Sequence, residues 1–512
     1  MTRRDFSSIV QSMPKRQVYL LSPKELSPET IAVAFAKTSR SPESFREIAA
    51  ELTDQQSAQF HEKWVVGYGH ASVAEHAVLH IAIENVSRLA VECIESNRLA
   101  SYTEKSTRYQ RWGPKDLLFQ LPLPEIEEIE SERIHPKEGV EDFFVPKEFD
   151  GHPQKKANYI RVCRYLFDTY AKSLEPVRAL IKKFYPPETG ESTEAHDRRI
   201  RSKYVDSCRF LLPAASFANL GMTANARILE HAIRKMLSHP LEEVKDIGEE
   251  IKVVALSEVP TLVKYANPLP HLVETGEVFY QRAHEKHQKR KKKLAVKPDW
   301  CQLIAFDPEG EIKVLAAALY RFGELSYTDA LEKIRSAPEA ERENLAESLL
   351  AALGDHDSTL RELEHTTYTF DLILDQGGYA ELKRHRMMTQ TPQIPTTRLG
   401  YVVPRHIVEA GFDPHYRSAM EAAGEVYEKL AAWNPNVASY VVPNGYNRRV
   451  LLSMNLREAF AFCQLRSAAN AHFSMRRVAQ RVAEEIKHVH PLLAKYLRLP
   501  DEPWQEIDAK YM

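Results

Sequence analysis

The chain has 512 residues, 43% hydrophobic and 27% charged, with a formal net charge of −2. That length exceeds one ordinary core and implies roughly two to four domains. The near-neutral charge excludes a global attraction to nucleic acid or to an anionic membrane, and no apolar stretch approaches the length of a membrane span. The opening MTRRDFSSIVQSMPKRQVYLL has basic residues but no apolar core with a cleavage site, so no secretory signal is expected. Five scattered cysteines (Cys93, Cys163, Cys208, Cys301, Cys463) form no CxxC pair. They argue against structural disulfides or a cysteine zinc site, and for a reducing cytoplasm.

In chain order, QVYLL leads into a helical stretch, ETIAVAFAKTSRS, and a second helical region runs from about Phe45 to Val66. GHASVAEH follows, then AVLHIAIENV, whose Leu79, Ile81 and Ile83 alternate as one face of a strand. SRLAVECIESNRLASYTEKSTRY comes next: a helical apolar stretch and then a polar loop from Ser96 to Tyr109. From about Pro114 to Lys156 the chain is acidic, proline-bearing and aperiodic, and reads as a surface excursion. An amphipathic helix is expected from about Asn158 to Phe184, with Tyr165, Leu166, Tyr170, Leu174 and Val177 on one side. CRFLLPAASFANLGMTANAR and a long terminal helix close this half.

The second half repeats the order. WCQLIAF precedes EIKVLAAALYRFGELSYTDAL, a charged helical stretch and STLRELEH; TTYTFDLILD then alternates with Tyr368, Phe370 and Leu372 on one face. GGYAELKRHRMMTQTPQIPTTR follows, with two prolines that predict an irregular loop after Arg384-His385-Arg386. A helix from about Tyr416 to Trp433 carries Met420, Ala423, Tyr427 and Leu430 at matching spacing. ASYVVPNGYNRRVLLSMNLR then mirrors the first half. In both, a proline (Pro213, Pro443) is followed twelve residues on by asparagine, and two later by arginine (Asn225/Arg227, Asn455/Arg457). Glu-His stands before the alternating segment in each half (Glu75-His76, Glu364-His365). The boundaries that follow are residues 1–279 for a first unit, 280–297 for a basic linker and 298–512 for a second unit. The linker run Lys289 to Lys293 is too narrow to make a nucleic-acid surface.

Three segments carry chemistry. Ser106, Thr107 and Arg108 offer hydroxyls and a guanidinium in a row, which suits a phosphate and also fits a solvated helix end. Arg384-His385-Arg386 concentrates positive charge, suiting an anionic cofactor or, equally, complementing a helix C-terminus. Near the end, Arg457 and Arg466 are embedded among Ala459, Phe460, Phe462 and Leu465, so each needs an anionic partner, whether ligand or intramolecular carboxylate.

These segments resemble the signature of flavin-dependent thymidylate synthases: Arg-His-Arg, seven residues, serine, one residue, arginine, downstream of a Gly-His/Glu-His segment. The first half shows Gly69-His70, Ser72, Glu75-His76 and ENVSR (Glu84 to Arg88). It has Ser96-Asn97-Arg98 in the Arg-His-Arg place, with Ser106 and Arg108 in register. The second half keeps Arg384-His385-Arg386 but lengthens the loop by two residues and offers Thr396 and Arg398. Arg466 matches the family's nucleotide arginine, replaced by Met236 in the first half. Arg209 matches the arginine before the family's LLP-type turn, replaced by Ser439 in the second.

The resemblance implies an α+β fold of two tandem units, each a small, mostly antiparallel sheet with packed helices. It implies flavin-dependent methylation of dUMP to dTMP, with FAD as cofactor and NADPH and methylenetetrahydrofolate as co-substrates. Arg466 would be catalytic. Glu104, Ser106, Thr107, Arg108, Arg209 and Arg384 would bind nucleotide. Ser72, Arg384, His385, Arg386, Asn455, Arg457, Asn225 and Arg227 would bind the flavin. No metal set competes. A cytoplasmic homodimer forming a pseudo-tetramer is implied, with a small-molecule nucleotide substrate and neither membrane nor nucleic acid as partner. The alternative is a degenerate paralogue that binds flavin or pyrimidine nucleotide without turnover.

Overall fold

The computed structural model describes residues 17, 19–39, 41–68, 70–106, 108, 142–285, 299–354 and 356–512. Gly69, Thr107, most of the acidic insertion and the run Lys289 to Lys293 lie outside the described residues. The chain packs as two compact units: one of residues 1–80, 223–234 and 249–267, the other of residues 81–222, 235–248 and 268–512.

In the smaller unit, the helix Pro28–Thr38 starts at Ser27, whose side chain accepts from the Thr30 amide. Ala34, Ile48 and Ala49 form its small core, packed by Leu21, Leu26 and Leu52. The helical region expected from Phe45 to Val66 is broken at Leu52 and Thr53, because Thr53 makes a capping box that starts a new helix at Asp54.

Two antiparallel sheets repeat one topology. The first has strands β1 (Val78–Ser87), β2 (Ser101–Glu104) and β3 (Phe217–Asn225) in the order β1-β3-β2. The second has β4 (Cys301–Phe306), β5 (Thr367–Asp375), β6 (Thr389–Pro392) and β7 (Asn447–Asn455) in the order β4-β5-β7-β6. Thus β5, β7 and β6 copy β1, β3 and β2, while β4 is an addition: residues 17 and 19–21, its counterpart in sequence, form no strand. The alternating residues are buried as expected, Leu79, Ile81 and Ile83 in β1 and Tyr368, Phe370 and Leu372 in β5.

In each sheet the long strand that precedes a helix, β1 or β5, hands over to it through a side-chain cap. Ser87 accepts from the Ala90 amide to start α1 (Arg88–Glu95), and Asp375 accepts from Gly378 to start the helix Gln376–Leu382. The loop expected after Arg384-His385-Arg386 is corrected in part: Thr389–Pro392 forms β6, antiparallel to residues 450–453 of β7. Pro392 is tolerated because β6 is an edge strand. Likewise Ser101–Glu104, within the expected polar loop, is the edge strand β2.

The insertion also ends earlier than expected. Phe143 and Phe149 are buried, Phe143 bridges to Ser216, and the long helix begins at Pro153. That helix, α2 (Pro153–Phe184), buries Leu166, Tyr170 and Val177, but Tyr165 is exposed and Leu174 only partly covered. Its counterpart Asp413–Ala431 buries Met420, Ala423, Tyr427 and Leu430.

Within the larger unit the two halves of the chain are joined by backbone. Pro213 and Pro443, the prolines matched by the repeat, pair with each other in an antiparallel bridge. Four hydrogen bonds flank it: Ala214 N to Val442 O at 3.0 Å, Ala215 N to Tyr440 O at 2.9 Å, Asn444 N to Leu212 O at 3.0 Å and Gly445 N to Phe210 O at 2.9 Å. Donors run in both directions, as an approximate two-fold relation between the halves requires. Gly445 has no room for a side chain here, since a Cβ would lie 2.6 Å from the Tyr416 hydroxyl.

Candidate active site

A cavity of about 220 Å³ in the larger unit is bordered by both halves. From the first half come Arg88, at the start of α1; Glu104, Lys105, Ser106 and Arg108, at and beyond the end of β2; and Arg209, on the turn after the helix Thr193–Cys208. From the second half come Glu381, on Gln376–Leu382; Arg384, just after it; Arg466, near the end of the helix Leu456–Ser467; and Asn470. The structure therefore gathers Glu104, Ser106, Arg108, Arg209, Arg384 and Arg466 around one space, although they are scattered over more than half the chain. Thr107 is outside the described residues.

Six cationic side chains border this cavity, against Glu104 and Glu381 on the wall and Asp206 behind Arg108. Arg108 grips Asp206 with two bonds, Nε to Oδ1 at 2.9 Å and Nη2 to Oδ2 at 2.8 Å, and gives Nη1 to the Asn470 carbonyl at 3.0 Å. Arg88 donates to Glu104 at 2.9 Å, and Arg384 lies 3.7 Å from the other oxygen of that carboxylate. Glu381 sits among three arginines: Arg466 at 3.5 Å, Arg209 at 3.6 Å and Arg108 at 3.7 Å. These longer separations mean that Glu381 offsets the cluster's charge without saturating its donors. The surplus is three positive charges around a small, partly enclosed space, a setting for a phosphate dianion.

Burial alone would raise the Glu104 carboxyl, but Arg88, Lys383, Arg384 and Arg209 together hold it below the usual carboxylate range. Asp206 is pushed up by burial despite its bonds to Arg108. Burial also lowers Arg209 and Arg466, against the pull of their carboxylates, without approaching neutrality for a guanidinium. His472, buried beside Arg209 and Arg108, is driven well below the usual imidazole value and stays neutral, with Nε2 donating to the Asp206 carbonyl at 3.3 Å.

Arg466 is oriented by a chain. Its Nε donates to Nε2 of His385 at 2.8 Å, so the His385 proton is on Nδ1, which donates to Glu458 at 2.9 Å. The imidazole is buried with its ring edge-on to Phe462. His385 thus positions an arginine in this structure.

The residues expected to hold flavin are not gathered in one place. Arg384 borders the small cavity; His385 and Arg386 border another of about 500 Å³; Asn455, Arg457 and Met387 border a third of about 350 Å³. The Arg384–Met387 turn is therefore a wall common to all three. Asn455 caps its helix by accepting from the Glu458 amide at 2.8 Å, and Asn225 does the same for Ile228 at 3.0 Å. Arg457 pairs with Glu364 at 2.8 Å and Arg227 with Glu75 at 2.5 Å. The Asn-x-Arg and Glu-His repeats thus meet as one device in each half: a capped helix pinned to the turn that precedes β1 or β5. Ser72 is exposed, on the turn Ala71–His76 of the smaller unit, with Asn225 and Arg227 in the same unit.

Sequence reasoning missed Arg88, Asp206, Glu381 and His472. Arg88 was visible as the end of ENVSR; a serine cap followed by arginine places that guanidinium beside the strand end. Asp206 and Glu381 carried no local signal, because their partners lie 98 and 85 residues away.

The family model described as thymidylate synthase complementing protein matches residues 21–261 and 302–492. With two matched regions spanning most of the chain, the protein belongs to that family. It is 32% identical over 465 residues to a UPF0159 protein of Chlamydia muridarum, covering 88% of this chain and 82% of the relative. A UPF0159 protein of Thermoplasma acidophilum is 27% identical over 488 residues, 88% of this chain and 90% of the relative. A flavin-dependent thymidylate synthase of Thermococcus onnurineus is 23% identical over 231 residues, 44% of this chain but 75% of its own length. The two-unit chain therefore resembles the first pair throughout and the last over about one unit. No helix among the described residues is long and apolar enough to cross a membrane.

Proposed function

We propose that the chain binds dUMP in the arginine-lined cavity and methylates it to dTMP in a flavin-dependent reaction. The observation that carries this reading is the convergence of Ser106, Arg108, Arg209, Arg384 and Arg466 from both halves on a cavity with surplus positive charge. Ser106 and Arg108 hold the phosphate. Arg209 adds a buried charge beside it. Arg466, held by the His385–Glu458 chain, faces negative charge that develops on the pyrimidine as C5 becomes nucleophilic.

The donor set fits FAD. Arg384 and Arg386 flank a buried histidine on a turn that borders all three cavities, Arg386 has no carboxylate partner among the described residues, and Asn455 and Arg457 border the adjoining cavity. Arg384, His385, Arg386, Asn455 and Arg457 would hold it. Bound there, FAD would supply the redox chemistry of the methylation, with NADPH as the source of reducing equivalents and methylenetetrahydrofolate as the source of the carbon. The first half lacks the Arg-His-Arg turn, with Ser96-Asn97-Arg98 in its place. A homodimer would then supply four family units with one productive nucleotide site per chain, in the cytoplasm.

A second reading, binding without turnover, is favoured by Glu381, a buried carboxylate that already occupies the arginine cluster. Complementation of a thymidine auxotroph decides between them. Growth without thymidine, lost on Arg466→Ala, supports turnover; failure by a well-expressed protein that binds dUMP supports the second reading.

A further inference from the structure

Counting from the matched caps Ser87 and Asp375 and the matched prolines Pro213 and Pro443, each wall position of the arginine cavity has a counterpart in the other half. Glu381 corresponds to Cys93, Arg384 to Ser96, Leu465 to Lys235, Arg466 to Met236, Asn470 to Pro240 and Arg209 to Ser439. Cys93, Ser96, Lys235, Pro240 and Ser439 all border the cavity of about 500 Å³, which is thus the two-fold counterpart of the nucleotide cavity, with more than twice its volume. Its nucleotide arginines are gone: Arg209 has become Ser439, Met236 is buried, and Arg398, the counterpart of Arg108, pairs on the surface with Glu428 at 2.9 Å.

Its charge, however, has been rebuilt rather than removed. Both carboxylates on the wall are neutralised internally, Glu92 by Arg448 at 2.7 Å and Glu95 by Lys383 at 2.8 Å, with the latter pair buried. Three further cations remain: Arg98, Lys235 and Arg386. Among the described residues none of these three has a carboxylate partner. Arg98 donates to the Thr389 hydroxyl at 3.0 Å, Arg386 to the Arg98 carbonyl at 3.0 Å, and Lys235 to the Ser96 hydroxyl and to Asn97 at 3.1 Å. Partly buried ammonium without a counterion is costly unless an anion is supplied. Burial lowers Lys235, and His239 is held down at about 4 by burial with Lys235 and Lys245 nearby, so the histidine adds no charge of its own at neutral pH. Leu89, Leu241, Met388 and Ile394 give the same cavity an apolar wall.

We propose that this cavity is a second anion site, specific for a phosphorylated small molecule with an apolar body, in which Arg98 and Lys235 take the phosphate and dUMP is not accepted. The site is distinct in residues from the nucleotide cavity, and Lys235 and Arg98 have no part in that cavity's chemistry. The proposal rests on the nucleotide reading only for its exclusion of dUMP.

The test is calorimetric titration of the full chain with inorganic pyrophosphate, with and without saturating dUMP. The expected result is one dUMP per chain and one pyrophosphate that still binds when dUMP is saturating. Lys235→Met and Arg98→Ala should each weaken that pyrophosphate site tenfold or more and leave dUMP affinity unchanged. Arg98→Ala lies on an exposed turn and keeps the test valid if Lys235→Met does not fold. Two dUMP per chain, no pyrophosphate binding beside dUMP, or binding indifferent to both substitutions overturns the proposal. Absence of dUMP binding with an intact, Lys235-dependent pyrophosphate site would refute the nucleotide reading instead.

Discussion

Replacing Arg108 separates a ligand contact from a structural one. Its guanidinium serves Asp206 through two bonds of 2.9 and 2.8 Å and also borders the nucleotide cavity. Arg108→Ala leaves Asp206 buried, with the Arg209 guanidinium 3.8 Å away. Breaking a buried pair by removing one partner costs about 3–5 kcal/mol. Loss of one charge-assisted contact to a bound phosphate costs about 1.5–3 kcal/mol, roughly ten- to hundredfold in affinity. Arg108→Ala should therefore lower both thermal stability and dUMP affinity. Adding Asp206→Asn removes the stranded charge, so the double variant should regain most of the stability while dUMP stays ten- to hundredfold weaker. Thermal unfolding and isothermal titration of the two variants read these effects separately. Recovery of affinity together with stability would mean that Arg108 only positions Asp206. The control is Arg398→Ala, whose exposed pair with Glu428 is far less costly to lose. If that variant abolishes dUMP binding while Arg108→Ala is silent, the live loop is the one in the second half.

Three further outcomes are expected. The protein should purify with FAD, and Arg384→Ala with Arg386→Ala should strip it; a colourless protein that gains no flavin absorbance on titration with FAD contradicts this. Because His472 is buried and neutral with its folded value far below 6.5, the unfolded chain binds the extra proton as pH falls through 6.5. Stability should then drop by about 1.4 kcal/mol per pH unit for this group below that point, and denaturant titrations on His472→Gln should show a shallower acid slope. Cleavage between Lys289 and Lys293 should leave the halves associated on gel filtration, since the backbone bonds around Pro213 and Pro443 join them; ready separation without denaturant refutes that.

Much of the architecture was legible because it is written twice. Strand alternation, the paired amphipathic helices and the matched prolines follow from local periodicity, which needs no knowledge of distant partners. The register of Ser106 and Arg108, together with Arg466, was enough to nominate residues that meet at one cavity. The sequence did not reveal that the Asn-x-Arg motifs are also caps tied to the Glu-His turns, since an ion pair between Arg457 and Glu364 depends on how the helix docks. Nor could it place Glu381 among the arginines, because a carboxylate three residues before Arg384 on a helix looks solvated until the opposite half is docked. Arg209, out of place if each half kept its own function, borders the same cavity as Arg108 and Arg466, since the crossing at Pro213 brings its turn against the second half.

The most direct test of the proposed chemistry is the flavin's own absorbance under anaerobic conditions. NADPH should bleach it, and methylenetetrahydrofolate should restore it only when dUMP is also present, with dTMP formed in equal amount. Bleaching that folate and dUMP together fail to reverse, in protein that binds both flavin and dUMP, contradicts the synthase reading.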